Sequence, residues 1–166
     1  MELFNKIYLS LTDKIYRLAI VLLGDSYEAQ DVVQDLYEQL YSKKASLHFS
    51  KNIEALILRA AKNMCIDKLR KRKREQKIPK QIIPQQDIDG NSTVSKVFLR
   101  ESIMSTIALL PEKQRAIIQL RDIEGYDYNE IAEIMEMDEA SVRVTLSRAR
   151  KSIKEKLIKI GENGEA

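Results

Sequence analysis

Between Arg143 and Lys159 the chain gathers side chains suited to contacting a nucleic acid. Arg143, Ser147, Arg148, Arg150 and Lys151 fall on the outward face of a helix, while Val142, Leu146, Ala149, Ile153 and Leu157 repeat at helical spacing on the other. Arginine offers a planar fork of donors that can pair with a base edge or a phosphate. Such a helix needs a support, and Tyr126–Met137 supplies one, with Ile131, Ile134 and Met135 as its apolar stripe. Asp138 stands where the N-cap of the second helix, running to Leu157, belongs. Two short amphipathic helices joined by a tight turn, the second one basic, predict a helix-turn-helix.

A charged stripe on an amphipathic helix is often only a solvated face, and periodicity does not separate that reading from a DNA-binding one. The distribution of charge does. Asp122, Glu124, Asp127, Glu130, Glu133, Glu136, Asp138 and Glu139 form a run without a single Lys or Arg, and the balance then reverses. Segregation of this kind lets only the second helix approach a phosphate backbone; the acidic first helix must face away or meet a basic protein partner.

Composition narrows the field. In 166 residues, 32% charged and 6% aromatic side chains describe a helix-rich chain with little aromatic core. One Cys and one His leave no cysteine-cluster zinc site, no internal disulfide and little from which to build an active centre, so no catalytic residue, metal, cofactor or small-molecule substrate is expected. Leu18–Leu23, bounded by Gly24 and Asp25, is far short of the roughly 20 apolar residues of a membrane span. No signal peptide is evident, and a cytoplasmic location is expected.

Two helical blocks emerge along the chain. The first contains a helix from about Glu2 to Leu23, with Leu3, Ile7, Leu11, Ile15, Leu18 and Leu22 on one face, ended by Gly24. Asp25 or Ser26 caps a second helix through Tyr41, whose apolar side is Ala29, Val32, Val33, Leu36, Tyr37, Leu40 and Tyr41. Its opposite stripe, Asp31, Gln34, Asp35 and Glu38, is either solvated or a dock for a basic helix. After a polar break around Ser42–Ser50, a third helix from about Asn52 to Arg72 becomes strongly basic. Two of the three prolines and an Asp-Gly-Asn-Ser turn signal then mark a flexible linker. The expectation is an all-α chain of two small helical domains, residues 1–74 and 98–166, joined by residues 75–97, the C-terminal domain being the helix-turn-helix.

The stretches LLGDSYEAQDVVQDLYEQLY, RAAKNMCIDKLRKRKR and LPEKQRAIIQLRDIEGYDYNEIAEIMEMDEASVRVTLSRARKSI together resemble the RNA polymerase sigma factors of the extracytoplasmic-function group, and the likeness covers nearly the whole chain. The resemblance implies a transcription initiation factor whose partners are core RNA polymerase, promoter DNA and an anti-sigma factor. It implies that Asp31, Gln34, Asp35 and Glu38 dock on the polymerase. It places Asn63 on the family's asparagine that captures an unstacked base of the −10 element, where an amide can both donate and accept. Arg59, Lys62, Lys68, Arg70 and Arg72 would hold the strand's phosphates, and His48 and Phe49 would stack on bases. Arg143, Val144, Ser147 and Arg148 match the contact positions for the −35 element, with Arg150 and Lys151 on phosphates.

This chain departs from the family pattern at three places. Leu56 stands where many members have a tryptophan, Glu136 replaces the usual glycine of the helix-turn-helix turn, and Val144 with Thr145 replaces a polar and basic pair. The alternative reading is a free-standing helix-turn-helix regulator. That would need dimer symmetry to read two half-sites, and the N-terminal block shows no heptad seam. An interaction protein that imitates a sigma factor is disfavoured by the basic residues on both DNA helices.

Overall fold

The computed structural model describes residues 2–47, 51–75 and 94–164, and every regular element among them is helical. Helix α1 (Glu2–Leu23) ends where Gly24 adopts a positive φ of 65° and donates its N–H to Ile20 at 2.8 Å. Asp25 then accepts from the Glu28 N–H and starts α2 (Ser26–Ser42). The polar break expected after α2 contains one further turn, α3 (Lys44–Leu47), because Leu47 is buried against the core. Asn52 caps α4 (Ile53–Arg74) by accepting from the Ala55 N–H.

Helices α1, α2 and α4 pack on one another around Ile15, Leu18, Leu22, Leu36, Ile57 and Leu58, all essentially without solvent exposure. The apolar face of α1 is rotated from the expected one at its start: Leu3 is 56% exposed, and Phe4 and Tyr8 are buried instead. Aromatic packing is the reason. Phe4, Tyr8, Tyr37 and Tyr41 form one cluster with ring centroids 5.1–6.1 Å apart. Four rings bury more area than Leu3 could, and the Tyr8 hydroxyl finds a partner in the Val33 carbonyl.

The second block begins with α5 (Val94–Ala108), inside the stretch read as linker from its prolines and polar residues, while Glu75 closes the end of α4 through the Lys71 carbonyl. Residues 76–93 of that linker lie outside the described residues. Helix α6 (Glu112–Ile118) continues into a π-helical turn, Gln119–Ile123, closed by Glu124 N–H to Gln119 O at 3.0 Å. The wider turn swings Asp122 towards the last helix and Glu124 towards the N-terminal block. Then come α7 (Tyr128–Met135), with a capping box between Asp127 and Glu130, and α8 (Glu139–Gly164), capped by Asp138 through the Ser141 N–H at 2.7 Å. Val142, Leu146 and Ala149 bury the inner face of α8 as their spacing predicts.

The two blocks are packed together. Helix α1 lies against α5, α6 and the π turn, and α4 lies against α7.

Candidate nucleic-acid and polymerase interface

On α8 the outward face is built as the sequence suggests. Arg143, Val144, Ser147, Arg148 and Lys151 are all exposed, on a helix fixed from behind by its buried stripe. The Arg143 guanidinium rests 3.9 Å from the centre of the Tyr128 ring, a cation–π contact that limits the swing of a long side chain. Arg150 is differently placed. It is held by Asp122 through two nitrogens, Nε to Oδ2 at 3.1 Å being one contact. That pair ties α8 to the π turn, while half of the Arg150 side chain stays exposed.

Helix α4 divides its basic residues by phase. At about 100° per residue, Arg59, Asn63 and Arg70 share a face, and Arg72, nine positions beyond Asn63, falls about half a turn away. Arg72 accordingly points inward. Its side chain is 13% exposed, donates from Nη1 to the Leu23 carbonyl at 2.7 Å and pairs with Glu28. Its expected role on a strand's phosphates is therefore corrected: the guanidinium closes the last turn of α1, which has no basic residue of its own there. Lys68 lies on the same inner side, near the buried Cys65 thiol, which burial pushes up to about 12. Arg70 and Asn63 are exposed; His48 and Phe49 lie outside the described residues.

Lys62 is also not open to a strand. It is 7% exposed, with Nζ 3.1 Å from Glu136 Oε2 in the turn between α7 and α8. Arg59 and the Asn63 amide add to the pull of Lys62 and hold the Glu136 carboxyl below its ordinary range. The acidic helix of the helix-turn-helix thus meets a basic partner within the same chain. Further along, Asn52 Nδ2 reaches Glu133 Oε2 at 3.4 Å.

Other polar contacts between the blocks involve residues that single-helix periodicity cannot find. Arg17 grips Glu124 with Nε to Oε1 at 2.7 Å and Nη2 to Oε2 at 3.0 Å. The Tyr126 hydroxyl donates to Glu54, and Lys14 reaches both at 3.0 and 3.1 Å. Arg115 Nη2 donates to the Leu22 carbonyl at 3.0 Å, beside the one taken by Arg72. The partners that cross between the blocks are 72 to 112 residues apart, and the one signal for them in the sequence is the segregation of charge.

On α2, Asp31, Gln34, Asp35 and Glu38 form one exposed stripe at i, i+3, i+4 and i+7, with Gln34 and Glu38 in contact at 3.4 Å. Asp31 and Asp35 make no ion pair among the described residues. The stripe is a continuous acidic surface backed by Val32, Leu36 and Leu40.

The family model for Sigma-70 region 2 matches residues 7–75 and that for Sigma-70 region 4 matches residues 100–153. The extracytoplasmic-function RNA polymerase sigma factor SigW of Bacillus subtilis is 27% identical over 156 residues, covering 87% of this chain and 83% of its own. The RNA polymerase sigma-H factor of Pseudomonas aeruginosa is 28% identical over 163 residues, covering 90% and 83%. Among solved structures, the sigma factor RpoE in complex with the anti-sigma factor NepR from Bartonella quintana shares the fold with a TM-score of 0.81. It is 22% identical, and the match covers 95% of this chain and 98% of that one. CnrH in complex with the cytosolic domain of CnrY gives a TM-score of 0.63 at 17% identity, over 94% and 88%. With both models matched in order along a two-block helical chain, this protein belongs to the sigma-70 family of RNA polymerase sigma factors, in its extracytoplasmic-function group.

Proposed function

We propose that the chain binds core RNA polymerase in the cytoplasm and directs it to promoters, without catalytic activity of its own. Its N-terminal block, ending at α4, reads the −10 element, and its C-terminal block reads the −35 element. The observation that carries the reading is the exposed face of α8, where Arg143, Val144, Ser147 and Arg148 stand together on a rigidly backed helix, inside a region 4 match. The acidic stripe of α2 supports docking on the polymerase, since a clamp of basic residues would complement it and Asp31 and Asp35 make no ion pair among the described residues. Asn63 is assigned to base capture and Arg59 and Arg70 to the strand's phosphates. An anti-sigma factor is an expected partner, because the structural neighbour RpoE is described in complex with the anti-sigma factor NepR. No helix among the described residues is long and apolar enough to cross a membrane.

Reconstituted transcription tests this directly. Core polymerase, genomic DNA and the purified chain should yield start sites absent without it, preceded by a shared pair of sequence elements. Failure of the chain to bind core polymerase overturns the proposal.

A further inference from the structure

In the first turns of α8 the polar side chains are engaged within the protein. The Asp138 carboxylate accepts from the Ser141 N–H at 2.7 Å and from the Ser141 hydroxyl at 2.9 Å. The Thr145 hydroxyl donates to the Ser141 carbonyl at 2.7 Å. Arg143 lies over the Tyr128 ring and stands 3.9 Å from Glu139, one turn before it. The exposed side chains that lead the outward face are apolar: Ala140, and Val144 at 48% exposure. At about 100° per residue Ala140, Val144 and Ser147 run along one line, opposite the buried Val142, Leu146 and Ala149, with Arg143 and Arg148 on either side of it.

A recognition helix meets base edges with its N-terminal residues. Methyl groups can make no hydrogen bond there. They gain by covering the C5 methyl of thymine, the apolar group that base pairs present in the major groove, and lose by covering an amino group or a ring acceptor that is then left unsatisfied. Four residues rise about 6 Å along a helix, a little less than two base-pair steps of about 3.4 Å. We propose that Val144, with Ala140 behind it, reads thymine: together they form an apolar contact for the C5 methyl groups of one or two neighbouring thymines in the −35 element. The proposal rests on the assignment of α8 to that element and adds to it the base that the middle of the face selects.

The test uses the full-length chain in complex with core polymerase and a fluorescent promoter fragment carrying mapped −35 and −10 elements. Deoxyuridine in place of one −35 thymidine at a time removes the methyl group and leaves base pairing and the O4 acceptor unchanged. In the wild type, substitution at one or two neighbouring positions should weaken binding about three- to fivefold each, the equivalent of one buried methyl group, and leave it unchanged elsewhere. Val144→Ala should bind the thymidine fragment more weakly by a similar factor and no longer distinguish thymidine from deoxyuridine at one of those positions. Its melting temperature should not fall, because the side chain is half exposed and alanine is the better helix former. Val144→Thr, of nearly the same shape and with one methyl group left, should retain part of the discrimination. Undiminished discrimination in both variants overturns the role of Val144. If deoxyuridine weakens wild-type binding at no thymine, on a promoter whose scrambled −35 element binds poorly, the methyl contact is overturned and the promoter reading stands. Equal binding of native and scrambled −35 elements refutes the assignment of α8, and the proposal with it.

Discussion

Replacing Arg17 by Met, which keeps most of the stem and removes the charge, should strip the best-buried interdomain carboxylate of its main partner. The Glu124 side chain is 7% exposed and that of Arg17 is 35% exposed, and two nitrogens contact two oxygens at 2.7 and 3.0 Å. Removing one member of a fully buried pair costs about 3–5 kcal/mol, and an exposed pair contributes about 0.2–1 kcal/mol. Arg17 retains a third of its surface in water, and Gln119 still donates to Glu124 at 3.1 Å, so the single substitution belongs between these limits. The expected loss is about 1.5–2.5 kcal/mol. Glu124→Gln leaves a neutral amide of the same shape, and the double variant removes the interaction without an orphaned charge. Urea unfolding of the four full-length proteins should therefore give a coupling energy of about 1–2 kcal/mol, persisting in high salt because one partner is shielded from counterions. Additivity within about 0.5 kcal/mol would show that the contact carries no weight in solution.

Asp31→Lys with Asp35→Lys should weaken assembly with core polymerase while the thermal melt stays within a degree or two, since exposed helical carboxylates contribute about 0.5 kcal/mol or less to folding; assembly equal to wild type removes α2 as the dock. Arg148→Ala should flatten base preference at one or two positions of the −35 element by about 1–3 kcal/mol, whereas Lys151→Ala should weaken all promoters alike and reduce the salt slope of binding by roughly one. Matching base-by-base profiles for wild type and Arg148→Ala would take Arg148 out of the reading set. Asn63→Ala should change the preferred base in the −10 element without lowering the melt; a lower melt with unchanged preference makes Asn63 structural. Lowering pH should open the two blocks. Glu136, held down by Lys62 and then by Arg59 and Asn63, contributes attraction above its ordinary 4.5 and loses it as pH falls through its lower value in the closed chain. Small-angle scattering should show the radius of gyration rising in that window before helicity is lost, and an unchanged radius refutes the electrostatic account.

Much of this was legible from single helices. Gly24, Asp25 and Asp138 punctuate their helices as their chemistry requires, and the inner face of α8 follows its period. Periodicity failed where partners from elsewhere decide the outcome. Leu3 yields to Phe4 because tyrosines on α2 complete an aromatic cluster, which a one-helix pattern cannot register. Arg72 and Lys62 look like strand contacts when α4 is read by charge alone; helical phase turns the first inward, and an acid 74 residues away covers the second. The acidic run was visible, with its need for a basic partner, yet nothing in the sequence said that the partner is α4. Arg17, Glu124 and Arg115 carry no local mark of their roles.

Two guanidinium groups from different domains converge on the end of α1, Arg72 on the Leu23 carbonyl and Arg115 on that of Leu22. Each stabilises the helix end, but they repel one another, and burial together with Arg72 opposes the charge on Arg115 despite nearby Glu112. Arg115 Nε is buried without a hydrogen-bond partner among the described residues, a further cost at the same place. The closed arrangement thus contains its own recoil. A catch assembled only from attractions must be opened against all of them; one that compresses like charges as it shuts is weaker by that repulsion, and a partner that prefers the open form has that much less to overcome.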